Sequence, residues 1–188
     1  MSKNKARTFG ISWWIGLALF AGMICLMLGD ILQRDGVIGS KTDVLVMGTN
    51  AGFKPFEYID NNEIVGFDVD LAREIAKSMG KELKIEDMSF DGLLSALDSG
   101  QIDMVAAGMT VTPERAKNAL FSDPYYSASQ RIIVKKGSPI RNKHQLSGRK
   151  IGVQLGTTGD TLASKIAGAA VTQFQTAPSV LQELSAGK

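Results

Sequence analysis

The sequence predicts an α/β protein, in which short buried strands alternate with amphipathic helices. Residues 44–47 and 102–107 are short apolar runs, each followed by a glycine-containing loop, as in buried strands of a parallel sheet. Between them, residues 66–80 carry apolar side chains at four-residue spacing, which is typical of a helix with one buried face. Because open α/β sheets bind small molecules at the carboxyl ends of their strands, we expect the functional residues there.

The first 42 residues are predicted to form a membrane anchor or signal segment with its linker. Residues 9–28 carry no charge and are long enough to span a bilayer as an apolar helix. Three basic residues precede this run, so the remainder should lie at the periplasmic or extracellular face of the membrane. An uncleaved anchor, a cleaved signal and lipidation at Cys25 are all open, with lipidation disfavoured because bulky residues precede the cysteine.

Composition after this segment excludes several classes of function. From residue 41 onward the chain has 17 basic and 17 acidic residues, so it has no excess of positive charge for binding nucleic acid. Cys25 is the only cysteine, so no disulfide framework is expected. No pattern pairs a nucleophile with a base or clusters metal ligands, so we expect no catalytic residues, no metal and no cofactor. His144, the only histidine, is interpreted as a surface residue.

The segment IDMVAAGMTVTPER, residues 102–115, is predicted to hold the carboxylate of a small ligand. Its strand ends at Gly108, and Thr112 followed by a proline predicts a helix start. Arg115 offers a planar set of donors that fits a carboxylate, and Thr110 with the amides near Gly108 could add neutral donors. The alternative is that Arg115 is a solvated helix residue.

Aromatic residues follow two other strand ends. Phe53 and Phe56 flank a Lys-Pro pair in the loop after the first strand, and Phe90 follows the strand predicted at residues 82–88. One ring of the first pair could stack on a ligand. The alternative is that both belong to a lid or to the core.

Two carboxylates stand at the beginning of the helix predicted at residues 66–80. Asp68 is placed to cap the helix, and Asp70 lies near the positive end of the helix dipole. Capping therefore explains both residues better than acid–base catalysis does. The preceding Asp60-Asn61-Asn62 is a turn, and its spacing does not fit a calcium loop.

A second series of strands and helices begins near residue 130. The segment LGTTGD, residues 155–160, opens a helix whose free amides could bind an anion, although it lacks the lysine of a phosphate loop. The predicted strands are residues 130–136, 149–154 and 170–174, and the predicted helices are residues 158–167 and 178–185.

Taken together, these segments resemble the bacterial extracellular solute-binding proteins of family 3, the polar amino-acid receptors of ABC importers. Residues 66–79 are similar to the family signature, and GTNAGFKPFEY, GMTVTPER, FSDPYY and the strand–GTT–helix segment follow in the family's order. The resemblance implies a periplasmic-binding-protein-like (type II) fold with two lobes, the second incomplete, preceded by one N-terminal apolar helix. The implied divisions are residues 1–42, 43–129 and 130–188.

The resemblance also implies how the two ends of an amino acid would be held. Arg115, Thr110 and Thr158, with the backbone at Gly108, match the positions that meet the ligand α-carboxylate. The Ala107 carbonyl matches an acceptor for the ligand α-ammonium.

The remaining implied contacts concern the ligand side chain. Phe53 and Phe90 match aromatic rings that cover the ligand, while Asn50 and Gln154 match selectivity positions and Thr157 lines the same loop. An acidic ligand would need a cation at these positions and a basic ligand would need a carboxylate. The two amides therefore favour a neutral polar amino acid such as glutamine, with a basic one as the alternative.

In the resembled family, a further strand carries an aspartate that contacts the α-ammonium. This sequence ends before such a strand, so we expect it to be a fragment and to bind ligand weakly or not at all in isolation. The implied partners are an ABC permease and an ATPase, with the membrane reached through the N-terminal segment. The alternatives are the ligand-sensing domain of a signalling protein and, less favoured, a dehydratase-like enzyme on the same scaffold.

Overall fold

Residues 43–188 are described by the computed structural model, and within them seven strands alternate with four helices. The strands are β1 (Val44–Thr49), β2 (Tyr58–Asp60), β3 (Glu63–Val65), β4 (Glu82–Asp87), β5 (Met104–Val105), β6 (Lys150–Gln154) and β7 (Ala170–Phe174). The helices are α1 (Phe67–Ser78), α2 (Leu93–Asp98), α3 (Thr158–Ala163) and α4 (Ala177–Ala186). Short 3-10 turns lie at Phe90–Gly92, Arg115–Lys117 and Lys143–Leu146.

The first sheet has β1 at its centre, with β4 on one side and β5 on the other, and both neighbours run parallel to β1. All three strands therefore end at the same edge of the sheet. Separately, β2 and β3 form an antiparallel hairpin. Its turn places Asn61 and Asn62 at φ values of 47° and 67°, the two left-handed residues of a tight hairpin.

Helices cover both faces of the first sheet, as expected for parallel strands. On one face, Val69 and Ala72 of α1 pack against Met47 of β1. On the other face, Leu93 of α2 packs against Ile102. Because these clusters fix both helices on one three-stranded sheet, the loops after its strands have a rigid base.

The second sheet pairs β6 and β7 in parallel. A side chain added at Gly152 of β6 would lie 3.0 Å from Val180 Cγ1 of α4, so a glycine lets this helix pack closely on the strand. The loop after β6 leads directly into α3.

The predicted strand at residues 130–136 is not formed. Ile132 and Ile133 are exposed, and no strand within residues 43–188 pairs with this segment. A strand needs the hydrogen bonds of a neighbour, so the short apolar run alone does not produce one.

Two other predicted elements are longer than the elements in the structure. The strand expected at residues 102–107 is reduced to β5, and the helix expected after Thr112 is only the 3-10 turn Arg115–Lys117. Ala116, Lys117 and Asn118 are exposed. Most helical stability comes from burying an apolar face, and this segment buries none. Similarly, α3 ends at Ala163 rather than near residue 167.

The predicted capping role of Asp68 is wrong. The N-cap of α1 is Gly66, and no side chain caps the helix. Asp68 is instead fully buried, with its oxygens directed toward other segments. Asp70 is exposed and pairs with Arg73.

The predicted membrane anchor and linker, residues 1–42, lie outside the described residues. Within residues 43–188, no helix is both long and apolar enough to cross a bilayer. The division into lobes at residues 129 and 130 remains a prediction, although the two parallel sheets fall on opposite sides of it.

Candidate functional site

A cavity of about 200 Å³ lies where the loops after β1, β5 and β6 converge. Its size is below the roughly 300–1,000 Å³ of pockets for drug-sized molecules and suits a small metabolite. All ten residues singled out from the sequence line it, together with three that were not. The ten are Asn50, Phe53, Phe90, Ala107, Gly108, Thr110, Arg115, Gln154, Thr157 and Thr158, and the three are Glu57, Gln130 and Gly159.

The guanidinium of Arg115 lies in the cavity wall and joins two segments. Nη1 donates to the Thr110 carbonyl at 2.7 Å, and Nη2 donates to the Gly156 carbonyl at 3.0 Å. The Phe90 ring packs beside it, with its centroid 5.4 Å from Cζ. Within residues 43–188, two of the five N–H groups of Arg115 are thus used, and three remain for a ligand. Burial lowers the pKa of Arg115, but an arginine still keeps its charge.

The two amides implied in ligand selectivity bind one another. Gln154 Nε2 donates to Asn50 Oδ1 at 2.8 Å, and Asn50 Nδ2 donates to the Met88 carbonyl at 2.7 Å. Both the oxygen and the nitrogen of the Asn50 side-chain amide therefore form hydrogen bonds within the protein. This pair connects the ends of β1 and β6. Because these amides already bond within the protein, they have fewer groups available to bind a ligand than the sequence predicts.

The Gly108 amide is not free for a ligand, contrary to expectation. It donates to Asp68 Oδ2 at 2.8 Å. Gly108 has φ +52°, and an added Cβ would lie 3.2 Å from Cε1 of Phe53. The glycine therefore makes space for the Phe53 ring and does not supply a donor to a ligand. The carbonyl of neighbouring Ala107 accepts no hydrogen bond within residues 43–188 and is available.

The aromatic residues separate into two groups. Phe53 lines the cavity and is 46% exposed, and its other neighbour is the stacked ring of Phe56, 5.6 Å away. Phe56 itself does not line the cavity and packs against Phe67 and Tyr126. Phe90 is half-buried against the cluster around Leu93. Phe53 is therefore the ring with a face free for a ligand.

The start of α3 brings backbone amides to the cavity. Thr157 is the N-cap: its hydroxyl accepts from the Asp160 amide and donates to the Gln154 carbonyl. Asp160 is buried and accepts from the Gly156 amide and from Gln173, which fixes the loop. The hydroxyl of Thr157 is thus used internally. The first amides of a helix lack partners within it, so those of Thr158 and Gly159 are the available donors.

A buried carboxyl group, not anticipated from the sequence, lines the same cavity. Glu57 is 1% exposed, and its Oε2 has no hydrogen-bond partner within the described chain. Burial, followed by the charge of Asp68 and a hydrogen bond with it, raises the pKa of Glu57 to about 9. Asp68 does not line the cavity, and it accepts a bond of 3.0 Å from the Tyr125 hydroxyl, whose pKa is raised mainly by burial.

The sequence gives little indication that Glu57 is buried at the cavity. It follows Phe56 in a turn-rich stretch and belongs to no motif of metal-binding or catalytic type. Its burial depends on the isolated bridge between Phe53 and residue 57, which turns the chain inward. Gln130 begins a predicted strand in the sequence, whereas in the structure its Oε1 lies beside Gly159. Neither role could be found without the fold.

Comparison with known proteins identifies the family to which the chain belongs. The family model described as bacterial extracellular solute-binding proteins, family 3, matches residues 45–183. The arginine-binding extracellular protein ArtP of Bacillus subtilis (strain 168) is 51% identical over 144 residues, which cover 77% of this chain and 56% of that protein. The present chain thus spans little more than half the length of this relative.

Solved structures agree with this assignment. The arginine-bound form of truncated ArgBP from T. maritima has a TM-score of 0.76 and 48% identity, covering 78% of this chain and 71% of that one. An ancestral amino acid-binding protein, AncCDT-1, described as a precursor of cyclohexadienyl dehydratase, has a TM-score of 0.74 and 37% identity, covering 86% and 70%. The predicted type II α/β fold is confirmed. The chain belongs to the bacterial extracellular solute-binding proteins, family 3.

Proposed function

We propose that this chain is the ligand-binding part of an extracytoplasmic receptor for a cationic amino acid, with arginine as the first candidate. The observation that carries the proposal is Glu57, a buried carboxyl in the cavity with an oxygen that no donor from residues 43–188 reaches. A buried polar atom without a partner is costly, so a site that keeps one is suited to a ligand that supplies the donor. A guanidinium supplies both the donor and the opposite charge.

This proposal revises the preference for a neutral ligand. That preference rests on Asn50 and Gln154, two uncharged amides, as the residues that face the ligand side chain, and a basic ligand would need a carboxylate there. Glu57 provides the carboxylate, while the two amides are bound to each other. The relatives named for arginine binding support the same class of ligand.

Arg115 would hold the opposite charge of the ligand. Its three unused N–H groups can bind the α-carboxylate, with the free amides of Thr158 and Gly159 adding to it from the start of α3. The Ala107 carbonyl would accept from the α-ammonium, and Phe53 would lie against the aliphatic part of the ligand. Each charged group of arginine would thereby meet a partner in one cavity.

Membership of the family suggests the transport partners and the location of the chain. We infer that the receptor delivers its ligand to the permease and ATPase of an ABC importer, and that it works outside the cytoplasm, anchored through residues 1–42. We further infer that residues 43–129 and 130–188 belong to separate lobes. The chain's role is binding rather than catalysis, since relatives such as ArtP are named as binding proteins.

A ligand titration followed by NMR chemical shifts tests the proposal, because it detects even millimolar binding. Arginine should shift the resonances of cavity residues and bind more tightly than glutamine or aspartate. Glu57→Gln should weaken arginine binding by at least about tenfold, since a hydrogen bond to a charged group contributes about 1.5–3 kcal/mol. The matched control is Glu63→Gln, which removes an exposed carboxylate of the hairpin.

Two results would overturn the proposal. One is tighter binding of a neutral or acidic amino acid than of arginine. The other is the absence of any shift at cavity residues with all three ligands at millimolar concentration.

A further inference from the structure

Two buried carboxyl groups lie on neighbouring segments at the cavity, where Glu57 lines it and Asp68 does not. Glu57 is 1% exposed and Asp68 is fully buried, and the Asp68 amide donates to the carbonyl of Phe56, the residue before Glu57, at 2.9 Å. Two carboxyl groups buried this near to one another do not both ionise readily, because their like charges repel. Within residues 43–188, neither forms an ion pair with a lysine or arginine. The pair therefore has no cation of its own.

The donors around the pair show where the proton lies. The oxygens of Asp68 accept from the Gly108 amide at 2.8 Å and from the Tyr125 hydroxyl at 3.0 Å. Glu57 Oε2 has no donor. Since donors stabilise an ionised carboxylate, the negative charge belongs on Asp68 and the proton on Glu57. The raised pKa of Glu57, about 9, has the same physical origin: burial first, then the charge of Asp68.

The other charged and titratable groups nearby do not change this assignment. Arg115 lines the same cavity, but its two protein bonds go to backbone carbonyls. Lys54 lies over the Tyr58 ring, 4.4 Å from its centroid. Tyr125 donates to Asp68, and burial raises its pKa, so it stays neutral. Glu57 and Asp68 thus share one negative charge in the ligand-free site.

We infer that Asp68 determines ligand preference without touching the ligand, by keeping on Glu57 a proton that a cationic ligand displaces and a neutral one does not. This inference rests on the proposed function, because it concerns the same cavity. On binding, the Glu57 O–H bond breaks, the proton leaves to solvent, and the carboxylate pairs with the ligand cation. With glutamine the proton stays on Glu57, and its Oε2, which has no donor within residues 43–188, accepts from the ligand amide nitrogen.

The two ligand classes should therefore respond differently to pH. Arginine binding releases a proton, so its dissociation constant should fall by about tenfold for each unit of pH while Glu57 is protonated in the free site. Glutamine binding releases none and should hardly vary over the same range. The preference for arginine over glutamine should consequently grow as pH rises from about 6 to about 8.

The test is an NMR titration of the side-chain carboxyl carbons in the full 188-residue chain, kept soluble with a neutral detergent. Glu57→Gln identifies the Glu57 signal by its disappearance. In the free chain this carboxyl should titrate well above its ordinary value of 4.5. Saturating arginine should lower its pKa by at least about 2, and saturating glutamine should leave it raised.

Asp68→Asn isolates the contribution of Asp68. It removes the neighbouring charge and introduces an amide donor, so the pKa of Glu57 should fall and the pH dependence of arginine binding should become shallower. Asp70→Asn is the matched control, because it removes an exposed carboxylate two residues away on the same helix. Tyr125→Phe, which removes one donor from Asp68, should also lower the pKa of Glu57, by disfavouring the charge beside it.

The outcomes separate this inference from the proposed function. If arginine binds while the pKa of Glu57 stays the same, or if Glu57 titrates near 4.5 in the free chain, the inference fails and the receptor function stands. If arginine shifts no cavity resonance, both fail. Should Asp68→Asn not fold, the wild-type titration with arginine and glutamine decides alone.

Discussion

At the residue scale, the cavity combines the guanidinium of Arg115 with the buried carboxyl group of Glu57, and the protein restrains each in a different way. Arg115 is fixed by two backbone carbonyls. Glu57 is fixed by burial and has an oxygen without a donor. A ligand with a carboxylate and a side-chain cation matches both, which is the physical basis for proposing arginine rather than glutamine.

Glu57→Gln should stabilise the ligand-free chain increasingly as pH rises. In the unfolded chain this carboxyl ionises at its ordinary value of 4.5, whereas in the folded chain it keeps its proton to about 9. Folding therefore takes up a proton between these values, and the wild-type free energy of unfolding falls as pH increases through this window. Urea denaturation at about pH 5 and about pH 8 measures the effect, with Glu63→Gln as the exposed control. A stability difference that stays constant with pH would show that Glu57 is not held protonated.

Arg115→Lys should weaken arginine binding by at least about tenfold. A lysine ammonium is a point charge and cannot replace the planar guanidinium that bonds the Thr110 and Gly156 carbonyls and still offers donors to a carboxylate. Binding of agmatine, which is arginine without its carboxylate, should change much less. Arg73→Lys, on the exposed face of α1, is the control. Equal losses for arginine and agmatine would contradict the proposed grip on the α-carboxylate.

Single residues were predictable where they follow strand ends. Asn50, Ala107 and Thr157 come just after β1, β5 and β6, and parallel strands bring such positions together. Glu57 and Asp68 were not predictable in the same way. A lone carboxylate in a turn and another at a helix start are usually solvated, and only the packing of Phe53 and Tyr125 around them shows otherwise.

At the scale of elements, the end of β6, the loop after it and the start of α3 supply four of the thirteen residues that line the cavity. Gly156 adopts φ +74°, and an added Cβ would lie 2.8 Å from Cβ of Asp91, in the turn before α2. Its amide donates to Asp160 and its carbonyl accepts from Arg115. The glycine therefore allows the loop to approach the first sheet closely.

Gly156→Ala should lower both stability and ligand affinity, whereas Gly148→Ala should lower stability alone. Gly148 has a similar φ of +70°, but no atom lies within 4 Å of its added Cβ. Each substitution forces a left-handed alanine, which costs about 1–2 kcal/mol. Only Gly156→Ala also pushes the loop away from Asp91, so arginine binding should weaken only there. Calorimetric melting and the NMR titration measure the two effects, and equal affinities in both variants would contradict this role of the loop.

Local patterns predicted the elements well where packing agrees with them. The four-residue spacing predicted α1, and β7 matches its prediction at both ends. Residues 130–136 have the pattern of a strand, but no neighbouring strand pairs with them in the described region. The proline-initiated helix after Thr112 is likewise short, since its side chains find no apolar surface to cover.

At the scale of the whole described region, two contacts connect the parallel sheets across the cavity. Gln154 binds Asn50, and Arg115 binds the Gly156 carbonyl. Residues far apart in sequence thus complete one site. The sequence predicted this convergence through the order of its motifs, but not that the protein groups would already bond to one another. A ligand must therefore fit among these bonds or replace some of them.

The most direct test of the receptor account is a crystal structure of the chain with L-arginine bound. We expect the guanidinium within hydrogen-bond distance of the Glu57 carboxylate and the α-carboxylate on Arg115, with the ligand lying between the ends of β1 and β6. Arginine bound outside this cavity, or bound inside it with neither charged group in contact with Glu57 or Arg115, would contradict the account.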